Sequence, residues 1–559
     1  MASTQTPSRS GDQQTGRIRG GVVAAETGAP LPGARVVVWN GETQPREITT
    51  DPDGRYEVEQ LPAAEYFVTA AHTGYLTAAY GQQRLRPMEN GTAVTVGAGQ
   101  TVERIDLALP RGGMITVRVT DHLGEPLAGA LLHVQRFVYA ANGQRQLTNV
   151  AIGIRGQATI DDRGEVRALG LMPGEYVIRA NVRSIRPANA AISNVTEGFA
   201  PTYYPGTTNS REAQVVSLGL SEERTVPFAM MASRLSRVSG TVFMSTGLPA
   251  ARMDLQLGPG EGDGGLVYGA GSVAADGTFT ITGVPRGNYT VRVRQDARAR
   301  YKDIGRAGEA GVPVRRIRGE FASVEVMVGD EDITGLRIIT GPGTTISGRV
   351  VFEGASPRPS INELRVFALP PGLAGGGWFA MGSSVYDFPP EGSVAADGRF
   401  QITGASGRVQ LDLQTEGWTL KSVALEGRDV TDETLDLTAV DAVSGVELTL
   451  TDKVSSVAGE VRDSDGQLMR SCVVIVLPRD VITPAASSRW IHASRPAPNG
   501  HFKIPRLRPG TYVAAAVDWI EQGRQFAPEF QQLLRRRARE FSVGEGQSLT
   551  LDLTLTPDL

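Results

Sequence analysis

The sequence predicts an all-β protein: five tandem Greek-key β-sandwiches in an elongated array, with one short C-terminal helix. Gly and Pro make up about 18% of the 559 residues, against an ordinary usage of roughly 12%, and both residues break helix interiors. Apolar residues at 40% supply enough material for packed cores and exclude a disordered chain. One phrase recurs along the chain at a domain-length interval, which marks tandem copies of a whole domain rather than a solenoid.

The phrase is a turn with Gly, a short strand that is usually aromatic-led, a Pro turn, and a strand led by Tyr. Its copies start at Asp53-Gly54, Arg163-Gly164, Asp276-Gly277, Asp397-Gly398 and Asn499-Gly500. In four of them the strand Tyr follows the turn Gly by 12 residues, as Tyr66, Tyr176, Tyr289 and Tyr512. The copy at Gly398 is degraded and lacks both the Tyr and the Pro. The turn glycines are 110, 113, 121 and 102 residues apart. Turn chemistry explains the Gly, which accepts positive φ, and core chemistry the Tyr, which buries its ring while its hydroxyl bonds backbone.

Other elements keep step. Each repeat opens with a strand, at 17–23, 115–119, 238–242, 346–350 and 457–461. Each closes with a short apolar strand, at 105–109, 226–230, 336–339, 446–450 and 549–553, mostly alternating. Alternation with period two buries one face and wets the other, as in an antiparallel sandwich of about seven strands. The reading is a flexible polar tail at 1–15, then sandwiches at 16–113, 114–234, 235–343, 344–454 and 455–559. Short connections between closing and opening strands restrict inter-domain angles and favour an elongated row. The helix is expected over about 527–540, with Phe526, Phe530, Leu533, Leu534 and Phe541 on one face and Pro528 early. Arg535, Arg536, Arg537 and Arg539 then form its solvated side.

Net charge of −4 and a pI near 5.9 advertise no nucleic acid, and no apolar run approaches the ~20 residues of a membrane span. The opening residues hold no apolar core of a signal peptide. Cys472, the single cysteine, excludes internal disulfides and reads as a buried structural thiol. The five histidines, His72, His122, His133, His492 and His501, offer no zinc spacing. His122 and Glu125 have a His-x-x-Glu spacing but sit in a turn, and no third ligand accompanies them. Asp51-Pro-Asp-Gly54 and Asp463-Ser-Asp-Gly466 echo a calcium loop without its closing Glu. No nucleophile elbow, phosphate loop or dinucleotide fingerprint appears, so no cofactor and no enzymatic activity are expected.

The patterns Gly-x-Val, Gly-x-Pro-Leu-x-Gly-Ala, Asp-Gly-x-Phe/Tyr and Leu-x-Pro-Gly-x-Tyr resemble the carboxypeptidase regulatory-like domain, a transthyretin-like β-sandwich. The first, second, third and fifth repeats show most of the pattern and the fourth shows part. Residues 200–208 and 418–431 also resemble bacterial proteins built mainly of such domains. The resemblance implies a non-catalytic protein, secreted or facing the periplasm at the cell envelope, with carbohydrate as ligand class. A covalently cross-linked adhesin relative is disfavoured, because the first two repeats contain no lysine.

Sugar-binding sandwiches stack a pyranose on exposed aromatics, and the candidates are Tyr203 and Tyr204 in a Pro/Gly/Thr loop and Trp378 in Gly375-Gly-Gly-Trp-Phe379. A locally basic stretch from Arg292 to Arg318 is interspersed with Asp296, Asp303 and Glu309 and reads as a solvated loop. The expected partner is a polysaccharide or another envelope protein. The competing reading is a structural spacer or protein-interaction array without a small ligand.

Overall fold

The computed structural model describes residues 15–40, 44–82, 91–150, 157–182, 186–187, 196–259, 269–295, 319–371 and 389–556, apart from 414, 439, 481, 484–486 and 498. Trp378 and most of the basic stretch lie outside the described residues. The chain separates into two compact units: Met1–Arg118 with Ile152–Tyr176 and Val215–Pro227, and Val119–Ala151 with Val177–Gln214 and Phe228–Leu559. The described strands form ten sheets.

In the first unit the opening strand Gly16–Ala24 pairs antiparallel with Arg55–Leu61. It pairs parallel with Thr101–Val102 and Leu107–Leu109. A second sheet holds Arg35–Trp39 between Arg46–Thr49 and Ala64–Ala71. Between the sheets lies an apolar core that includes Ile18, Val22, Val36, Val38, Tyr66, Val68 and Leu109. The burial alternates along each strand, so the period-two pattern of the sequence is the pattern of the core.

The second unit repeats this plan. Ala232–Phe243, Thr344–Glu353 and Ser455–Arg462 each pair antiparallel with the strand that follows a turn Gly and parallel with a closing strand. The parallel closure corrects the all-antiparallel expectation, because alternation of burial is the same in either direction. It also explains the recurrent Gly-x-Val. A Cβ on Gly240, Gly348 or Gly459 would stand 1.9, 2.0 or 2.1 Å from the carbonyl oxygen of Leu336, Val446 or Leu551 on the closing strand. Only Gly lets the two backbones approach that closely.

The recurrent turn and Tyr do as expected. Gly54, Gly164, Gly277, Gly398 and Gly500 all have φ between 73° and 83°. The Tyr66, Tyr289 and Tyr512 hydroxyls donate to the carbonyls of Pro62, Pro285 and Arg508, at 2.9, 2.9 and 2.8 Å, and Tyr176 donates to Met172. Each bond ties the Tyr ring to the turn four residues before it, which locks the corner.

Three features depart from the sequence reading. The helix spans Pro528–Arg537, and Phe541 sits on the strand Arg539–Val543, stacked 5.7 Å from Tyr512 in the core. The strand Ala232–Phe243 runs unbroken across the expected boundary between 234 and 235. Within the second unit, Arg136 lies 2.9 Å from Glu521 and the Tyr139 hydroxyl donates to Glu529 at 2.8 Å. This joins the second repeat to the fifth, a contact that an extended row of repeats does not anticipate.

Candidate binding site on the second repeat

Strand Leu131–Tyr139 lies between Arg145–Asn149 and Gly174–Asn181, and the latter pairs onward with Thr202–Tyr203. Register sets His133 beside Arg179 and Arg179 beside Tyr203, and sets Gln135 beside Asn149. Because side chains alternate, these residues share the face opposite Leu132, Val134 and Ile178. An outward face of a sandwich sheet is ordinarily wet. Here His133, Gln135 and Tyr203 are 2% exposed and Arg179 is 1% exposed. The third repeat shows the ordinary case: Gln256 and Arg294 occupy outward positions, remain partly exposed, and bond each other at 3.0 Å.

The row is polar and only partly satisfied. His133 Nε2 lies 2.6 Å from Asn181 Oδ1, so in neutral His133 the Nε2–H donates and Nδ1 is left as an acceptor. His133 Nδ1, Gln135 Oε1 and Asn149 Oδ1 make no close hydrogen bond, although Asn149 stands near enough to His133 to favour its protonated form. Burial, and after it the positive charge of Arg179, hold the His133 pKa down to about 4. The imidazole is therefore neutral near pH 7. The Arg179 guanidinium carbon lies 5.8 Å from the Tyr203 ring centre.

The sequence-named aromatics are placed differently from an open platform. Tyr203 is buried in this row, with no ring face open to stack a sugar, which corrects its expected exposure. Tyr204 is half-buried, its ring set edge-on 6.2 Å from Phe228 and its amide donating to Ile178 O at 2.9 Å. The sequence reading missed His133, Gln135, Asn149, Arg179 and Asn181. Their only signal is polar residues at alternate positions, which is also the signature of a wet face.

The motifs set aside on sequence grounds sit in turns. Beside His122 and Glu125, the Asp121 carboxylate accepts from the amides of Leu123 and Glu125 at 2.8 and 2.9 Å. Those backbone bonds, led by that from Glu125, hold the Asp121 carboxyl below its usual range. Asp51 and Asp463 close their turns the same way. Among the described residues no three His, Cys, Asp or Glu side chains gather as a metal site. Cys472 is buried in the core of the last repeat.

Paired sheets closed by a parallel last strand, with a Gly turn and a Tyr corner, define a class of β-sandwich repeat proteins. Within it, residues 17–110 match the model of the carboxypeptidase regulatory-like domain, so the first repeat is such a domain. No curated protein matches the chain in sequence. Among solved structures the chain is similar to the Bacillus anthracis TIE protein, at 15% identity over 58% of this chain and 50% of that one, with a TM-score of 0.16. It is similar to a minor pilin of Streptococcus agalactiae, at 15% identity over 38% of this chain and 94% of that one, with a TM-score of 0.20. A third is the shaft pilin SpaA of Lactobacillus rhamnosus GG, at 13% identity over 39% of this chain and 98% of that one, with a TM-score of 0.21. Overlaps this low carry no argument about function. No helix among the described residues is long and apolar enough to cross a membrane.

Proposed function

We propose that the chain is a non-catalytic array of five tandem β-sandwiches, secreted or held at the cell envelope, that binds carbohydrate. The observation that carries the reading is the buried polar row of the second repeat. It offers three acceptor atoms that make no close hydrogen bond, His133 Nδ1, Gln135 Oε1 and Asn149 Oδ1, in the row that holds Arg179. A metal cation is opposed there by the charge of Arg179, and an anion by the acceptor lone pairs. Hydroxyl groups both donate to amide and imidazole acceptors and accept from guanidinium, so a neutral polyhydroxylated ligand matches both halves of the row. Because the row is closed to solvent, ligand entry is coupled to displacement of its covering residues and association is slow.

The test is a glycan array probed with the full chain and with Gln135→Ala and Asn149→Ala. Binding by the parent chain that both variants lose, at unchanged melting temperature, supports the reading; absence of any bound glycan overturns it. The envelope or secreted location is part of the proposal, is supported by the resemblance of the repeats to envelope-facing domains, and is tested by fractionating the producing cells.

The second reading, a spacer or protein-interaction array without a small ligand, is favoured by the ion-paired junction between the fourth and fifth repeats, where Arg508 and Arg489 meet Asp432. A fixed junction suits an element that holds distance. Capture of an envelope protein, with a silent glycan array, favours this reading.

A further inference from the structure

We propose that strand Phe321–Val328 of the third repeat is a docking edge: it takes an extended peptide of another protein as an added antiparallel strand, with an apolar residue opposite Met327 and a Lys or Arg opposite Glu325. The inference is independent of the carbohydrate reading.

Phe321–Val328 is the last strand of its sheet and pairs on one side with Gly287–Gln295, in eight consecutive pairs without a bulge. On the other side, Phe321 exchanges both backbone hydrogen bonds with Gly341, each at 3.0 Å. Backbone groups alternate along a strand, so those of Ser323, Glu325 and Met327 point to the same side as those of Phe321. Among the described residues they meet no strand there. All three residues are exposed, Met327 at 79%.

Proteins guard such an edge with Pro, Lys, bulges or very short strands. Elsewhere this chain does so: Pro505 interrupts the edge strand His501–Leu507, and a bulge breaks the pairing of Arg55–Leu61. Phe321–Val328 has none of these, and its single charge is Glu325. The third repeat already accepts a strand from outside itself: Arg186–Pro187 adds antiparallel to Thr278–Pro285.

The edge also carries specificity. A cleft of about 300 Å³ opens at its end, lined by Arg286, Gly287, Asn288, Met327, Val328 and Gly329. Main-chain bonds would supply affinity for an added strand and the cleft would select one apolar side chain. Glu325 selects a cation opposite it. A second copy of the same edge is disfavoured, because the antiparallel register that pairs the outward Ser323 with Met327 sets Glu325 directly against Glu325. Read from its N-terminus, the added strand is apolar, any residue, then Lys or Arg.

The test measures fluorescence anisotropy of fluorescein-labelled Thr-Leu-Thr-Arg-Thr-Val-Thr with the full chain. The comparison peptide has Glu in place of Arg. Saturable binding of the Arg peptide is expected, weakened about tenfold or more by Ser323→Pro, which removes an outward N–H and no ladder bond. Glu325→Lys is expected to reverse the preference toward the Glu peptide, and it decides the matter if Ser323→Pro fails to fold. Absence of saturation up to ~1 mM peptide overturns the proposal. So does equal binding of both peptides by parent and Glu325→Lys, or a dimer of the chain that Ser323→Pro dissolves.

Discussion

Arg508 holds both oxygens of Asp432 with one nitrogen: its Nη1 stands 2.9 Å from Oδ1 and 2.8 Å from Oδ2, joining the fifth repeat to the fourth. Its Nη2 donates to the Lys421 carbonyl at 2.9 Å, and its guanidinium lies 5.2 Å from the ring centre of Trp490. The Trp490 indole donates to the same carboxylate at 3.0 Å. Next to it, Arg489 is buried, donates to the carbonyls of Leu411 and Thr431, and faces Asp412 at 4.0 Å. Burial pushes the Arg489 pKa down, with Asp412 the strongest opposing influence.

Removing one partner of a buried charged cluster leaves the rest uncompensated. Arg489→Met is therefore expected to cost ~3–5 kcal/mol in urea unfolding. Arg508→Ala, at a more exposed position, is expected to cost ~1–3 kcal/mol. A double-mutant cycle of Arg508→Ala with Asp432→Ala should return a favourable coupling of about 1–2 kcal/mol. A coupling near zero would show that the Arg508–Asp432 pair does not hold this junction.

The Tyr corners make a cleaner single-bond test. Tyr66→Phe and Tyr289→Phe keep the ring in the core and delete one hydroxyl bond, to Pro62 and Pro285. Each is expected to cost ~1 kcal/mol, more if the orphaned carbonyl stays dry. Chemical denaturation of each variant measures this directly. Equal stability of parent and variants would mean water replaces the hydroxyl without loss.

The corners were legible in the sequence because turn and core chemistry there depend on local spacing. The Gly turn and the Tyr are 12 residues apart in four repeats, and the bond four residues back follows from that hairpin. What was not legible depends on partners remote in sequence. Alternation along Leu107–Leu109 is the same whether it pairs parallel or antiparallel, so the parallel closure was hidden. His133 and Gln135 look like wet outward residues until the covering of that face is known. Phe541 keeps helical spacing with Phe530 and Leu534, yet the helix stops at Arg537 and Phe541 pairs as a strand with Tyr512. There, tertiary pairing overrides periodicity.

The buried histidines predict a pH dependence. Burial lowers the pKa of His133 and of His492 to about 4 from an ordinary 6.5. Below pH 6.5 the unfolded chain binds protons that the folded chain refuses, so stability is full above that value and falls toward pH 4. Each shift corresponds to about 3 kcal/mol when fully expressed. His133→Gln should flatten the decline of melting temperature between pH 6.5 and 4, while sacrificing some stability at pH 7. An unchanged slope in that variant would mean His133 is solvated when folded.

Two glycines separate steric closeness from backbone conformation. At Gly240 a Cβ would stand 1.9 Å from Leu336 O, a contact that only separation of the opening and closing strands can relieve. At Gly247 φ is +82° and nothing lies within 4 Å of the added carbon, so the only penalty is the left-handed backbone. Gly247→Ala is therefore expected to cost ~1 kcal/mol. Gly240→Ala should cost ~3 kcal/mol or more, because the parallel strand pair must shift. Hydrogen exchange gives the second readout: amides of Ile333–Ile339 should lose protection in Gly240→Ala and keep it in Gly247→Ala. Retained protection in Gly240→Ala would show that the closing strand tolerates a methyl group in that gap, and the recurrent Gly would need another cause.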